Sequence, residues 1–426
     1  MSMTYKEAME YISAAGVFGS RPGLTRIKKL CSKLGDPQKD TNFIHVAGTN
    51  GKGSVCAMLD SVLRCAGLKV GLYTSPYISF FEERIRLDGK PVSKRKLTRA
   101  IEKVKSAADS AGDEFTEFEI ITAAAFLCFD EEKCDVVVLE TGLGGRLDAT
   151  NVIDRPLVSV ITGIALDHTA VLGETEEKIA AEKGGIIKRG CPVVAGDCSP
   201  AVKRVIEEIA AENSAPVIAA DYGRIKKPRL SIDGTEFTVE PYGKIKLTLS
   251  GAYQAENAAV CITAVEALKA AGVEISSDAL KEGLYAARWP ARFETLLKEP
   301  LTVYDGAHNE NGAKALERNI RKILGGRVIL VTGVMADKDC AAIIKTLAPC
   351  AMRVFTVTPE NPRSLCAERL AQGYKNAGAD AVACASVKEG IKAALTLAKK
   401  EKLPIVIAGT LYLYKQITDE LKALLK

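Results

Sequence analysis

Residues 45–54 read "HVAGTNGKGS", and the reading of that stretch decides the fold. The common phosphate-loop pattern G-x-x-x-x-G-K-[ST] fits it only in part. Gly51-Lys52 supply the central pair, but Val46 stands where the first glycine belongs and Gly53 follows the lysine. A phosphate loop also needs a strand before it and a helix after it, so that backbone N–H groups converge on an anion. "NFIHVAGTNGKGSVCAMLDSVL" supplies both. Gly48, Gly51 and Gly53 let the main chain approach phosphate oxygens, Lys52 adds a point charge, and Ser54 offers a hydroxyl to phosphate or magnesium. The alternative is a strand-to-helix turn with incidental glycines. Three glycines and a lysine within six positions weigh against it.

Working outward, short apolar runs alternate with amphipathic stretches from Asn42 to about Ala195. "KVGLYTS", "CDVVVLE", "PLVSVITGI" and "CPVVAG" read as strands, and "GSVCAMLDSVLRCAG" and "EEKIAAEKGGIIKRG" as helices. Continuous Val/Ile/Leu runs predict strands buried on both faces of a mostly parallel sheet. Between Arg229 and Ser250, Asp-Gly and Tyr-Gly turns between alternating segments predict a small antiparallel unit. The helix "AENAAVCITAVEALKAAG" follows. A second βα series then runs through "LTVYDGA", "RVILVTGV", "RVFTVT", "DAVACA" and "PIVIAG". The fold expected is α/β: a phosphate-loop domain over 1–290 that includes the small antiparallel sheet, a linker at 291–300 within the two-proline segment Ala287–Pro300, and a Rossmann-like domain over 301–426.

Composition agrees with two globular domains: 426 residues, 47% hydrophobic and 26% charged. A net charge of +5 with only 6% aromatics makes no case for nucleic acid. No apolar run reaches the roughly 20 residues a membrane span needs, and "MSMTYKEAMEYI" lacks a signal-peptide core. Twelve cysteines without zinc spacing, among them Cys56, Cys65, Cys128 and Cys261 in apolar stretches, read as buried thiols of a cytoplasmic protein.

A nucleotide-binding loop calls for an acidic residue at the end of another parallel strand to hold magnesium. "DVVVLE" runs straight into Glu140, and the glycine-rich "TGLGGRLDATN", with Arg146 and Asp148, follows at the sheet edge where ligands bind. Of three histidines, His168 in "ALDHTAVLG" leaves another strand at that edge. A lone histidine is commonly a cap or core residue, but the Asp167-His168 pair at a strand exit favours a ligand or metal role. His308 lies in "YDGAHNENG", three residues after Asp305. His45, inside a strand, reads as structural.

The blocks "HVAGTNGKGS", "TSPYISFFEERIRLDGK", "VLETGLGGRLDATN", "ITGIALDHTAVLGETEEKIAAEKGGIIK", "YQAENAA", "WPARFE" and "YDGAHNENG" occur in this order. Together they resemble the Mur ligase family in its folylpolyglutamate and dihydrofolate synthase branch, over nearly the whole chain. The resemblance implies an ATP-dependent amide ligase that adds L-glutamate to dihydropteroate or a reduced folate through an acyl phosphate, releasing ADP and phosphate. It implies that Gly48, Thr49, Asn50, Gly51, Lys52, Gly53 and Ser54 hold the ATP phosphates. It implies further that Ser75 and Glu140 bind one Mg2+, and that Glu140 and His168 serve a second beside Lys183, which family members carry as a carbamate. Asn257 would touch adenine, while Arg292, Asp305 and His308 would reach ATP from the second domain, so that the site completes on closure. Phe80, Arg84, Arg86, Arg146 and Asp148 would lie near the folate. A monomer is implied.

Three positions depart from the family pattern: Tyr77 where histidine is frequent, Gly184 for alanine, and Ala291 for glycine. Relatives that act on UDP-linked precursors carry a whole domain ahead of the loop, and fewer than fifty residues precede Gly48 here. A nucleotide switch is a rival from another class, but "MADKDC" lacks the asparagine of a guanine-reading N-K-x-D.

Overall fold

Strand β1 (Phe43–Ala47) is buried along its whole length, as is β5 (Val136–Glu140), because helices cover the sheet on both faces. The computed structural model describes residues 3–19 and 21–424. Around β1 and β5 lie β2 (Val70–Tyr73), β3 (Ile85–Leu87), β4 (Lys90–Pro91), β6 (Val158–Ile161), β7 (Val193–Ala195) and β8 (Val217–Ala219). Their order is β4-β3-β2-β5-β1-β6-β7-β8. The pairs from β2 to β8 are parallel, whereas β3 and β4 add an antiparallel edge. Parallel neighbours need crossover helices, and the apolar runs of the sequence supply them.

On one face, helix Lys52–Cys65 packs against β1, β2 and β5, with helix Ser277–Ala286 over it. Sandwiched in this way, it buries every residue from Gly53 to Leu63. Cys65, expected among the buried thiols, is exposed, because it is the last residue of this helix and lies past the covered stretch. Helix Glu117–Glu132 packs on the other face, where Phe126 meets Phe43 edge-on at 5.7 Å. Thr116 starts this helix with a capping box closed by Glu119.

Strands β9 (Lys226–Ser231), β10 (Gly234–Val239) and β11 (Gly243–Leu247) form the small antiparallel sheet. The last sheet is built from β12 (Glu294–Lys298), β13 (Leu301–Asp305), β14 (Val328–Thr332), β15 (Ala351–Thr356), β16 (Ala381–Ala383) and β17 (Ile405–Ala408). Its order is β12-β13-β17-β14-β15-β16, parallel except for the β12–β13 pair.

Two compact units result. One holds the chain up to Arg224 with Glu240–Tyr242 and Glu256–Ala287, and the other holds Ile225–Val239, Gly243–Ala255 and the chain from Arg288. Two boundaries differ from the expectation. The small antiparallel sheet groups with the second unit rather than with 1–290. The stretch 291–300, read as a linker, carries β12, whose "ETLLK" pairs with β13 across the turn at Pro300. Pro290 and Pro300 on either side of β12 suggested a spacer, but an edge strand tolerates prolines as neighbours.

Candidate active site

The phosphate loop begins where β1 ends. Gly51 turns the chain at φ +90°, a conformation glycine adopts without strain, and helix Lys52–Cys65 starts directly after it. Gly51 brings no side-chain cap, the backbone arrangement in which a helix N-terminus can receive an anion. The segment after β6 forms the loop's far wall. The Thr49 and Asn50 N–H groups donate to the Gly163 carbonyl at 2.8 and 3.4 Å, and Thr162 Oγ1 donates to the Asn50 carbonyl at 2.7 Å. A Cβ on Gly48 would sit 1.8 Å from Thr162 Oγ1, and one on Gly51 would sit 2.5 Å from Asn257 Oδ1. Asn257, implied at adenine, thus stands against the loop's last turn.

Two lysines converge on one carbonyl. Lys52 Nζ donates to the Gly48 oxygen at 2.9 Å and Lys183 Nζ to the same oxygen at 2.8 Å. Lys183 is buried at the end of helix Glu176–Gly184. Burial, with the Lys52 charge added, lowers its pKa to about 7. An amine in this state is partly neutral, and therefore nucleophilic, at neutral pH.

Glu140 ends β5 in register with Val46, beside the start of the loop. Its buried carboxylate accepts the Ser75 N–H at 3.1 Å. The expected pair of Ser75 and Glu140 is therefore brought together. Beyond Ser75 the chain carries exposed Tyr77 and Phe80. Glu83 shapes this segment by accepting the Ile78 and Ser79 N–H groups at 3.1 Å each. The Arg84 guanidinium lies over the rings of Tyr77 and Phe81 and donates to Glu117 at 3.4 Å. Arg86 continues into β3, half-buried.

The glycine-rich segment folds on Asp148. Its carboxylate accepts the Gly142, Leu143 and Thr150 N–H groups and the Thr150 hydroxyl, at 2.6–3.0 Å. Thr150 Oγ1, its proton given to Asp148, accepts from His45 Nε2 at 2.9 Å. His45 is buried and its pKa falls to about 3 through desolvation, so it is a neutral structural link. Arg146, named for the folate side, is exposed and pairs with Glu182 at 2.6 Å. His168 lies beyond β6 in a left-handed turn, exposed, with Nε2 3.9 Å from Asp167 Oδ1.

In the second unit, Asp305 ends β13 and is buried. It accepts from Tyr253 Oη at 2.7 Å and from the Phe293 and Ala307 N–H groups at 3.0 and 2.9 Å. His308 donates from Nδ1 to the Gly306 carbonyl at 2.8 Å. Residues that sequence reasoning missed are Thr162, Gly163, Glu83 and Tyr253. Thr162, Gly163 and Tyr253 act through partners far along the chain, and Glu83 through N–H groups four and five residues before it.

Among the described residues no group of three or more His, Cys, Asp or Glu could cage a metal. Magnesium needs no such cage. It takes one or two carboxylates and draws its other oxygens from phosphates and water. One buried carboxylate beside a phosphate loop, with Ser54 and Ser75 near the same strand ends, fits that donor set.

Comparison with known proteins agrees with this geometry. Residues 46–265 match the Mur ligase middle domain, and residues 291–411 match the Mur ligase glutamate ligase domain. The chain is 37% identical to the dihydrofolate synthase/folylpolyglutamate synthase of Bacillus subtilis, over 99% of this chain and all of that one. Among solved structures, Mycobacterium tuberculosis folylpolyglutamate synthase complexed with ADP superposes with a TM-score of 0.89 at 30% identity, covering 99% of this chain and 98% of that one. Escherichia coli FolC in complex with DHPP and ADP gives 0.85 at 29% identity, covering 98% of each chain.

Proposed function

The chain belongs to the Mur ligase family, in its folylpolyglutamate and dihydrofolate synthase branch, as an ATP-dependent ligase, and we propose that it joins L-glutamate to dihydropteroate or a reduced folate through an acyl phosphate. The observation that carries this reading is the phosphate loop itself, with Lys52 and Lys183 on one carbonyl and buried Glu140 in register beside it. The ADP and DHPP held by the relatives support a nucleotide and a pteroate-like ligand here.

A carboxylate does not react with an amine at neutral pH, because its oxygen is a poor leaving group. Transfer of the ATP γ-phosphoryl group to that oxygen makes an acyl phosphate. The neutral amine of glutamate attacks its carbonyl carbon, a tetrahedral oxyanion forms, and phosphate leaves as the amide closes. Negative charge gathers at the transferred group in each step. The first-turn N–H groups, Lys52 and Arg292 supply fixed positive charge there, and one such group typically carries about 10²–10³ in rate.

Magnesium, held by Glu140 with Ser75 and, for a second ion, His168, would neutralise phosphate charge when bound. Lys183 in neutral form can attack carbon dioxide, forming an N–C bond and losing a proton to become a carbamate. That converts a cation beside Lys52 into an anion suited to a cation-rich site. Asn257 is read as the adenine contact, with Asp305 and His308 as groups of the nucleotide side. Phe80, Arg84, Arg86, Arg146 and Asp148 belong to the folate side, with Asp148 and Glu83 acting by shaping their segments. We read the protein as a monomer of the cytoplasm. No described helix is long and apolar enough to cross a membrane, and the cysteines are unpaired thiols.

The test is mass spectrometry of products from dihydropteroate and from a tetrahydrofolate, each with ATP and glutamate. A gain of one glutamyl residue, with phosphate release that depends on both acid and amine, is expected. Phosphate release indifferent to both substrates would reject the ligase reading.

A further inference from the structure

Asp305 is 4% exposed, and three donors inside the chain already occupy its carboxylate. Two of them are main-chain groups on either side of a turn. The Phe293 N–H follows Arg292 directly, and the Ala307 N–H immediately precedes His308. The third is the Tyr253 hydroxyl, 2.7 Å from Oδ2. A further bond ties the two segments, from the Gly306 N–H to the Ala291 carbonyl at 2.8 Å.

The backbone held in this way is unusual. Ala291 and Phe293, the two neighbours of Arg292, sit at φ +59° and +46°, a region sparsely populated by residues that carry a Cβ. Such geometry persists only where surrounding contacts over-determine it, and it gathers at functional sites. Both residues are buried, and Glu294 adds a further hold by accepting the Ala291 N–H at 2.8 Å. The turn directs the Arg292 guanidinium over Gly306, where an added Cβ would meet Nη1 at 2.7 Å.

We propose that Tyr253 and Asp305 are positioning residues for Arg292: the carboxylate clamps the two main-chain segments that bear Arg292 and His308, and the tyrosine hydroxyl fixes the carboxylate. This rests on the reading of Arg292 as a source of charge for phosphoryl transfer. It gives Asp305 a task within the chain in addition to its place on the nucleotide side. A carboxylate serves better here than an amide. Both its oxygens accept, whereas an amide would turn an NH2 group toward at least one of the three buried donors.

Tyr253→Phe removes one hydroxyl and no packing volume of consequence. Its kcat is expected to fall on the order of tenfold, the size of one lost hydrogen bond to a charged group, with KM for ATP within about twofold. In an Arg292→Ala background the same change is expected to cost less than about twofold, since the group it positions is gone. Equal fold losses in both backgrounds would overturn the clamp and leave a merely structural hydroxyl. Asp305→Asn provides a second reading, with a larger loss of kcat that also vanishes without Arg292. If Asp305→Asn instead cost as much kcat in the Arg292→Ala background as in the parent, Asp305 would not act through Arg292 and the proposal would fail. Unchanged turnover in Arg292→Ala alone is a separate outcome. It would strike the role given to Arg292, and the clamp's purpose with it.

Discussion

At Gly51 the backbone turns left-handed with a glycine, at φ +90°, whereas at Ala291 and Phe293 it does so with side chains attached. Both turns place positive charge, but they are held differently. The phosphate loop takes its shape from residues close in sequence, through glycines and the first turn of a helix, and only its wall at Thr162 and Gly163 is remote. The turn at Arg292 is held against its own preference by Asp305, Tyr253 and Glu294. The first is therefore vulnerable to any added side chain, and the second to the loss of a distant partner.

The largest effect expected from this contrast is at Gly48. In Gly48→Ala the new methyl would overlap Thr162 Oγ1 at 1.8 Å, and that hydroxyl is held by the Asn50 carbonyl and cannot swing away freely. Displacing the loop should lower turnover by about 10² or more, the scale of losing an oriented charge-stabilising group. Steady-state kinetics at saturating ATP would show it, and a loss under about threefold would mean that the wall yields.

A second prediction concerns Lys183 in buffer free of carbon dioxide. In the unfolded chain this amine keeps its proton up to about pH 10.5, but in the folded chain only up to about pH 7. Between those values the unfolded state binds the extra proton. Stability from this group therefore rises with pH, by up to about 1.4 kcal/mol per unit, and below about pH 7 it stays at its least favourable. Lys183→Met removes the term. Relative to the parent, its denaturation midpoint should improve as pH falls from 10 to 7, and a difference that does not move with pH would contradict the lowered pKa.

The smallest expected effect sharpens the comparison from the other side. Ala291→Gly relieves a left-handed alanine, worth about 1–2 kcal/mol, and gives back about 0.4–1 kcal/mol through the freer unfolded chain. A net gain of about 0.5–1 kcal/mol in urea denaturation is expected, and a loss would mean that the alanine methyl packs better than its φ suggests.

Much of the site could be read from the sequence because anion-binding loops and strand-end carboxylates are local features. "HVAGTNGKGS" and "DVVVLE" each carry their own geometry, and their neighbours in the sheet follow from the run of parallel strands. What could not be read depends on pairing across distance. Asp148, expected near the folate, also organises its own segment through the Thr150 hydroxyl and three N–H groups. Arg146, expected on the folate side, has an ion pair with Glu182 that its neighbours in the sequence do not announce. Ala291 appeared only as a missing glycine until its φ of +59° explained why glycine is at home there. The strand β12 was hidden by flanking prolines, since edge strands tolerate a composition that central ones do not.

By itself the sequence determined the order of strands and helices, the phosphate loop and the family, because burial periodicity and backbone-built anion sites are written in consecutive residues. Only the tertiary structure decided which polar groups are already engaged. Tyr253 with Asp305, His45 with Thr150 and Lys183 with Gly48 join residues far apart in the chain. A buried donor or acceptor must find its partner wherever folding brings one.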